Sequence, residues 1–115
     1  KNIRTSLFIN PTIRDIKISK KLGSKCVELH TGRISNLVKN KKNFVNELNK
    51  IKKTVSFALK NNIEIHAGHG LDYKTTKILS KIKGITEFNI GHFIIGESVF
   101  FGLKNVIKNI KKIIR

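Results

Sequence analysis

Residues 63–72, IEIHAGHGLD, decide how this chain folds. Apolar Ile63, Ile65 and Ala67 alternate with Glu64, His66 and Gly68, the two-residue period of a β-strand with one dry and one wet face. A glycine turn follows directly. Asp72 then stands where a helix N-cap belongs, ahead of an apolar stripe of Ile78, Leu79 and Ile82 that Gly84 closes. A strand running through a short turn into a helix is one βα unit.

Working outward, the same unit recurs. A second strand is expected at 25–31, with Val27 and Leu29 on one face and Cys26, Glu28 and His30 on the other. It ends in a loop carrying Gly32. A long helix is expected over 43–61, because Phe44, Leu48, Ile51, Val55 and Ala58 recur at steps of three and four. The fourth strand, 87–90, sets Phe88 and Ile90 against Glu87, Asn89 and Gly91 and leads into a short helix at 94–101. The first strand falls near 5–9, followed by a helix capped by Asn10 with Pro11 at its first position, Ile13 and Ile16 in its stripe and Gly23 at its end. A last helix carries Leu103, Val106, Ile107, Ile110, Ile113 and Ile114 on one face. Strands alternating with helices imply right-handed crossovers and a parallel sheet.

Parallel strands covered on both faces usually read as continuous apolar runs. Here three strands keep a polar face, which in a parallel barrel would line the lumen. The expected fold is therefore α/β: four βα units forming the C-terminal half of a (β/α)₈ TIM barrel, with residues 1–115 as one partial domain. An open sheet with one wet face is the alternative. Half a barrel needs a complement, and a chain opening on Lys1 is expected to be a fragment or a processed product.

Composition narrows the function. The net charge is +17, from 24 Lys and Arg against 7 acids. Such a charge would attract phosphate backbones, but only four of those residues are Arg, the side chain suited to bidentate recognition. Lys104, Lys108, Lys111 and Lys112 fall on the polar face of the last helix, so a solvated lysine surface is expected and a nucleic-acid partner is not. No apolar run reaches membrane-spanning length and no secretory leader is visible, so no membrane partner is expected. The lone Cys26 suits a reducing compartment and reads as a small buried group rather than a nucleophile. His66 and His69 lack a matching acid or cysteine pattern, so no metal site is expected.

Chemistry concentrates at the strand ends, where barrel enzymes hold their sites. Glycines flank His69 and let the backbone approach a ligand, and imidazole passes protons near neutral pH. Gly70, Gly91 and His92 lie where the late loops of a barrel and a helix amino end hold phosphate. Glu28 is a carboxylate on the lumen side, able to stabilise a cationic or hydroxylated intermediate or to pair with a lysine.

SLFI at 6–9, VELHTG at 27–32, AGHGL at 67–71, FNIGH at 88–92 and the tail FIIGESVFFGLKNVIKNIKKI at 93–113 together resemble the pyridoxine 5′-phosphate synthase family over essentially the whole chain. The resemblance implies a (β/α)₈ barrel that condenses 1-deoxy-D-xylulose 5-phosphate with 3-amino-2-oxopropyl phosphate. It implies His69 as proton donor, Glu28 as a transition-state stabiliser, and Gly70, Gly91 and His92 as the residues holding 3-amino-2-oxopropyl phosphate. A cytoplasmic homo-oligomer, typically an octamer, without metal or organic cofactor is implied as well. Two departures stand out. His66 occupies a position where the family has asparagine, with an expected effect on hydrogen bonding around His69. The segment 33–36 lacks the family's aromatic residue. The family's remaining histidine and glutamate belong to the other half, so the chain by itself is expected to be inactive. Another phosphate-binding barrel, a basic nucleic-acid module and a decayed remnant are the competing readings.

Overall fold

The computed structural model describes residues 3–114. Four parallel strands stand in chain order: β1 (Ser6–Ile9), β2 (Cys26–His30), β3 (Glu64–Gly68) and β4 (Ile85–Asn89). The helices are α1 (Ile13–Lys21), α2 (Gly32–Lys39), α3 (Val45–Lys60), α4 (Tyr73–Leu79), α5 (His92–Phe101) and α6 (Leu103–Ile114). The alternating βα reading therefore holds for each unit, in an open four-stranded sheet.

Strand period and register sort the side chains. Val27, Leu29, Ile63, Ile65 and Ala67 are buried. The first four pack into one cluster with Ile16 of α1, Ile34 of α2, Ile51, Val55 and Ala58 of α3, and Leu79 of α4. Burial of each such aliphatic side chain contributes roughly 1.5–3 kcal/mol. The opposite face carries Phe8, Glu28, His66 and Glu87 as successive cross-strand partners, with His30, Gly68 and Asn89 one row nearer the carboxyl ends. One irregularity interrupts the ladder: Ile65 pairs with Ile85 but His66 with Glu87, which leaves Thr86 as the extra residue of β4. Thr86 Oγ1 donates to the Ile65 carbonyl and to Glu64, each at 3.2 Å.

Several elements differ from expectation. The first helix is capped by Thr12, not Asn10: its hydroxyl accepts from Asp15 N at 3.1 Å. Asn10 instead closes a tight turn by accepting from Thr12 N at 2.7 Å, and Pro11 is buried within it. That displacement turns Ile13 outward and leaves Ile16 as the stripe's buried member. Residues 32–39, expected as loop, form α2, which seats Ile34 in the core. β4 begins two residues earlier than expected, and α6 buries only Val106 and Ile110 while Leu103, Ile107 and Ile114 stay exposed. Asp72 caps α4 as anticipated, accepting from Thr75 N at 2.7 Å. Lys104, Lys108, Lys111 and Lys112 are all exposed. Among the described residues no helix is long and apolar enough to cross a membrane.

Candidate functional site

At the carboxyl ends of the strands lies a cavity of about 510 Å³, lined by Phe8, Glu28, His69, Gly70, Gly91 and His92 among others. All five residues singled out from the sequence thus meet at one place, although they come from three different βα loops and strand ends. Each is positioned by identifiable groups.

Glu28 points across the sheet. One carboxylate oxygen accepts from Asn89 Nδ2 at 2.7 Å, and the other lies directly over Gly68. A β-carbon at residue 68 would sit 1.9 Å from Glu28 Oε1, so the glycine is what lets the carboxylate reach β4.

His69 follows β3 with φ at +74°, in the left-handed region, and Gly70 repeats that sign at +75°. A residue with a β-carbon holds this conformation at a cost of roughly 1–3 kcal/mol, so its surroundings must impose it. Here buried Thr31 does so: its hydroxyl lies 2.7 Å from the Gly68 carbonyl and 2.9 Å from the His69 carbonyl and donates between them, while its backbone N–H donates to Gly68 O at 2.8 Å. The His69 ring packs against His30, with centroids 4.5 Å apart and planes 31° from parallel. Phe8 packs against both rings, its centroid 5.2 Å from that of His30 and 6.4 Å from that of His69. His30 Nδ1 accepts from Gly32 N at 3.2 Å, so a neutral His30 carries its proton on Nε2.

Gly91 and His92 open α5, a helix whose N-cap makes no side-chain hydrogen bond. Its first backbone N–H groups receive no side-chain cap, and Gly91 and His92 at that end line the cavity. Phe93 meets Tyr73 of α4 edge-on, with centroids 4.8 Å apart, and so ties the start of α5 to the neighbouring unit. A second cleft adjoins on the α2 side, sharing His69, Gly70, His92 and Phe93 and adding Ser35, Asn36 and Lys39. Ser35 Oγ there is buried and has no hydrogen-bond partner among the described residues.

His66 corrects an expectation. It is buried and bonds away from His69: Nε2 lies 3.0 Å from Glu64 and Nδ1 lies 3.6 Å from Glu87. Arg4 completes this row at 2.6 Å from Glu64. The Arg4 guanidinium, and after it the His66 ring, bring the Glu64 carboxyl down to about 2. Cys26 is buried with its thiol donating to Thr5 O at 3.2 Å. No group of three His, Cys, Asp or Glu among the described residues could hold a metal ion. Sequence reasoning gave no role to Asn89, Thr31 or Phe8. The two-residue period that put Glu28 on the polar face puts Asn89 there too, whereas Thr31, though within VELHTG, gives no local sign of its bonds to residues 68 and 69.

Helices packed on one face of a parallel sheet, with a cavity built from the loops at its carboxyl ends, define an α/β protein whose cavity lies where such folds place their ligand sites. A family model described as "Pyridoxal phosphate biosynthesis protein PdxJ" matches residues 1–115, and the chain belongs to that family. A pyridoxine 5′-phosphate synthase of Pelagibacter ubique (strain HTCC1062) is 66% identical over 113 residues, which are 98% of this chain and 47% of that protein. Proteins of the same name from Blochmanniella floridana and from Sulfurihydrogenibium sp. (strain YO3AOP1) are each 42% identical, over 98% and 97% of this chain and 45% of their own lengths. The chain thus spans about half the length of the curated relatives it matches.

Proposed function

We propose that this chain is the C-terminal half of a (β/α)₈ barrel and carries part of a pyridoxine 5′-phosphate synthase active site. The whole enzyme condenses 1-deoxy-D-xylulose 5-phosphate with 3-amino-2-oxopropyl phosphate to give pyridoxine 5′-phosphate, phosphate and water. The observation that carries this conclusion is the gathering of Glu28, His69, Gly70, Gly91 and His92 on one cavity, in a member of a family whose relatives bear the name of that synthase. His69 is the proton donor; exposed at the cavity edge, its imidazole can deliver a proton to a departing oxygen. Glu28, aimed by Asn89, stabilises positive charge developing as the amine condenses with the ketone. The uncapped start of α5, with Gly91, His92 and Gly70, holds the phosphate of 3-amino-2-oxopropyl phosphate, since free N–H groups and the helix dipole both favour an anion.

The barrel is supported by strands in consecutive parallel order with one polar face, and by what that half leaves open. Ile95, Val99, Phe100 and Phe101 of α5 are all more than half exposed, a surface suited to burial against the other half or another subunit. A cytoplasmic homo-oligomer belongs to the same proposal.

A chimera tests it: this chain replaces the matching 113-residue segment of the Pelagibacter ubique relative. The chimera should form pyridoxine 5′-phosphate from the two substrates, whereas the 115-residue chain alone should not, lacking the groups that abstract protons. A folded but inactive chimera overturns the function, and product from the isolated chain overturns the division of the site.

A further inference from the structure

We infer that His30, Thr31 and Gly32 form a single device that positions His69, so that this tripeptide sets the rate of the proton transfer without itself touching substrate. The inference rests on the function proposed above and assigns a job to residues it leaves unassigned.

Three consecutive residues act on one recipient through three different contacts. Thr31 holds the backbone: its one hydroxyl proton is shared by the carbonyls on either side of the His69 α-carbon, and its own N–H adds a second bond to the first of them. Those bonds lock the left-handed turn that aims the His69 side chain. His30 holds the ring, lying 4.5 Å from it with the two planes tilted by 31°, and is itself fixed by the bond from Gly32 N to its Nδ1. Gly32 holds the space. A β-carbon there would come within 2.7 Å of His69 Cδ2 and 2.6 Å of His30 Cε1, driving both rings out of place. A threonine that merely ended β2 would not need its hydroxyl between two carbonyls 37 and 38 residues away. Nor would a strand-end histidine need its acceptor nitrogen pinned.

Two substitution pairs in the active chimera test the device. Thr31→Val removes the hydroxyl at nearly constant shape and Thr31→Ser restores it. His30→Ala removes the stacking ring and His30→Phe restores a flat surface. The first of each pair should lower kcat roughly 10- to 100-fold, the scale of a catalytic group displaced by about 1 Å, while KM for 3-amino-2-oxopropyl phosphate stays within about threefold. The second of each pair should recover most of the rate. An unchanged kcat, a KM rising in step with the fall in kcat, or loss without recovery would each overturn the inference. If Thr31→Val does not fold, the His30 pair decides. If the parent chimera is folded but inactive, the proposed function fails and the device is read independently by NMR. The His69 ring resonances should then shift in Thr31→Val and His30→Ala and return in Thr31→Ser; resonances indifferent to all three would refute it.

Discussion

Gly68→Ala should cripple the site while leaving the fold in place. Gly68 is a strand residue outside the left-handed region, so alanine fits its backbone. The difficulty is the added carbon, which would lie 1.9 Å from Glu28 Oε1, 2.7 Å from Glu28 Cδ and 3.3 Å from Asn89 Cβ. Real β-carbons essentially never approach within 3.0 Å of a neighbour, so the carboxylate must retreat by more than 1 Å, and the 2.7 Å bond from Asn89 goes with it. Because the obstructed atoms are the end of a flexible side chain, Glu28 swings aside and the backbone stays. The lost, partly solvated hydrogen bond costs about 1 kcal/mol, and replacing glycine in the unfolded chain returns roughly 0.4–1 kcal/mol. Thermal unfolding should therefore shift by no more than a few degrees. A charge-stabilising group displaced by about 1 Å should instead lower kcat by about 100-fold. The assay is steady-state kinetics of the chimera beside its calorimetric unfolding. Asn89→Ala, which removes the donor without intruding on Glu28, should lose less. A Gly68→Ala enzyme with kcat within threefold of the parent would refute the claim that Glu28 works from this position.

His69→Ala should reduce kcat by about 10²–10⁴-fold, as removal of a general acid does, and an unchanged rate would take His69 out of the mechanism. Gly91→Val should raise KM for 3-amino-2-oxopropyl phosphate with normal folding, because a β-carbon there meets nothing within 4 Å and can only crowd the ligand; an unaltered KM would remove the start of α5 from the phosphate site. Glu64, held at about 2 against an ordinary value of 4.5 by Arg4 and then His66, gives acid dependence of definite sign. Its folded value is depressed, so its stabilising contribution is complete above about 4.5 and is lost as pH falls through about 2. Carboxyl NMR of the folded chain should follow a midpoint near 2 that Arg4→Ala moves upward, and an ordinary midpoint would deny the pairing.

Much of the fold was legible because its signals are local. Period-two alternation marked β2 and β3 and gave Glu28, His66 and Asn89 a common face, and Asp72 announced α4. α2 was missed because it opens on Gly32 with no side-chain cap, although Ile34, Leu37 and Val38 already had helical spacing. The cap of α1 was misplaced since Asn10 and Thr12 are both good caps locally. The choice fell to Thr12, which sits three residues ahead of Asp15, while Pro11 is buried and Thr54 Oγ1 bonds its carbonyl at 3.0 Å. Site residues and supports alike lie in the family-like stretches, but the contacts that make Asn89 and Thr31 supports are not local. Asn89 reaches Glu28 across 61 residues, and Thr31 reaches His69 across 38. Such bonds exist only once register sets His30 beside Gly68 and Gly68 beside Asn89, and no window of sequence contains that information.

The polar face of the sheet divides into two regions with opposite logic. Toward the amino ends, Arg4, Glu64, His66 and Glu87 face one another: both ring nitrogens of His66 lie near carboxylates and Glu64 faces a guanidinium. These charges are largely spent on each other, which keeps β3 and β4 in register across the bulge at Thr86 and leaves little for a ligand. Toward the carboxyl ends the supports are not carboxylates or ammonium groups: an asparagine for Glu28, a threonine and the packed His30 ring for His69, backbone N–H for His30. Such a support fixes geometry without cancelling the charge or the proton of the group it holds. That is the arrangement chemistry needs, because a carboxylate neutralised by lysine could not stabilise a cation, and an imidazole bound to a carboxylate would not give up its proton readily. Among the described residues no lysine or arginine pairs with Glu28, and the glycine at 68 makes room for the asparagine contact instead.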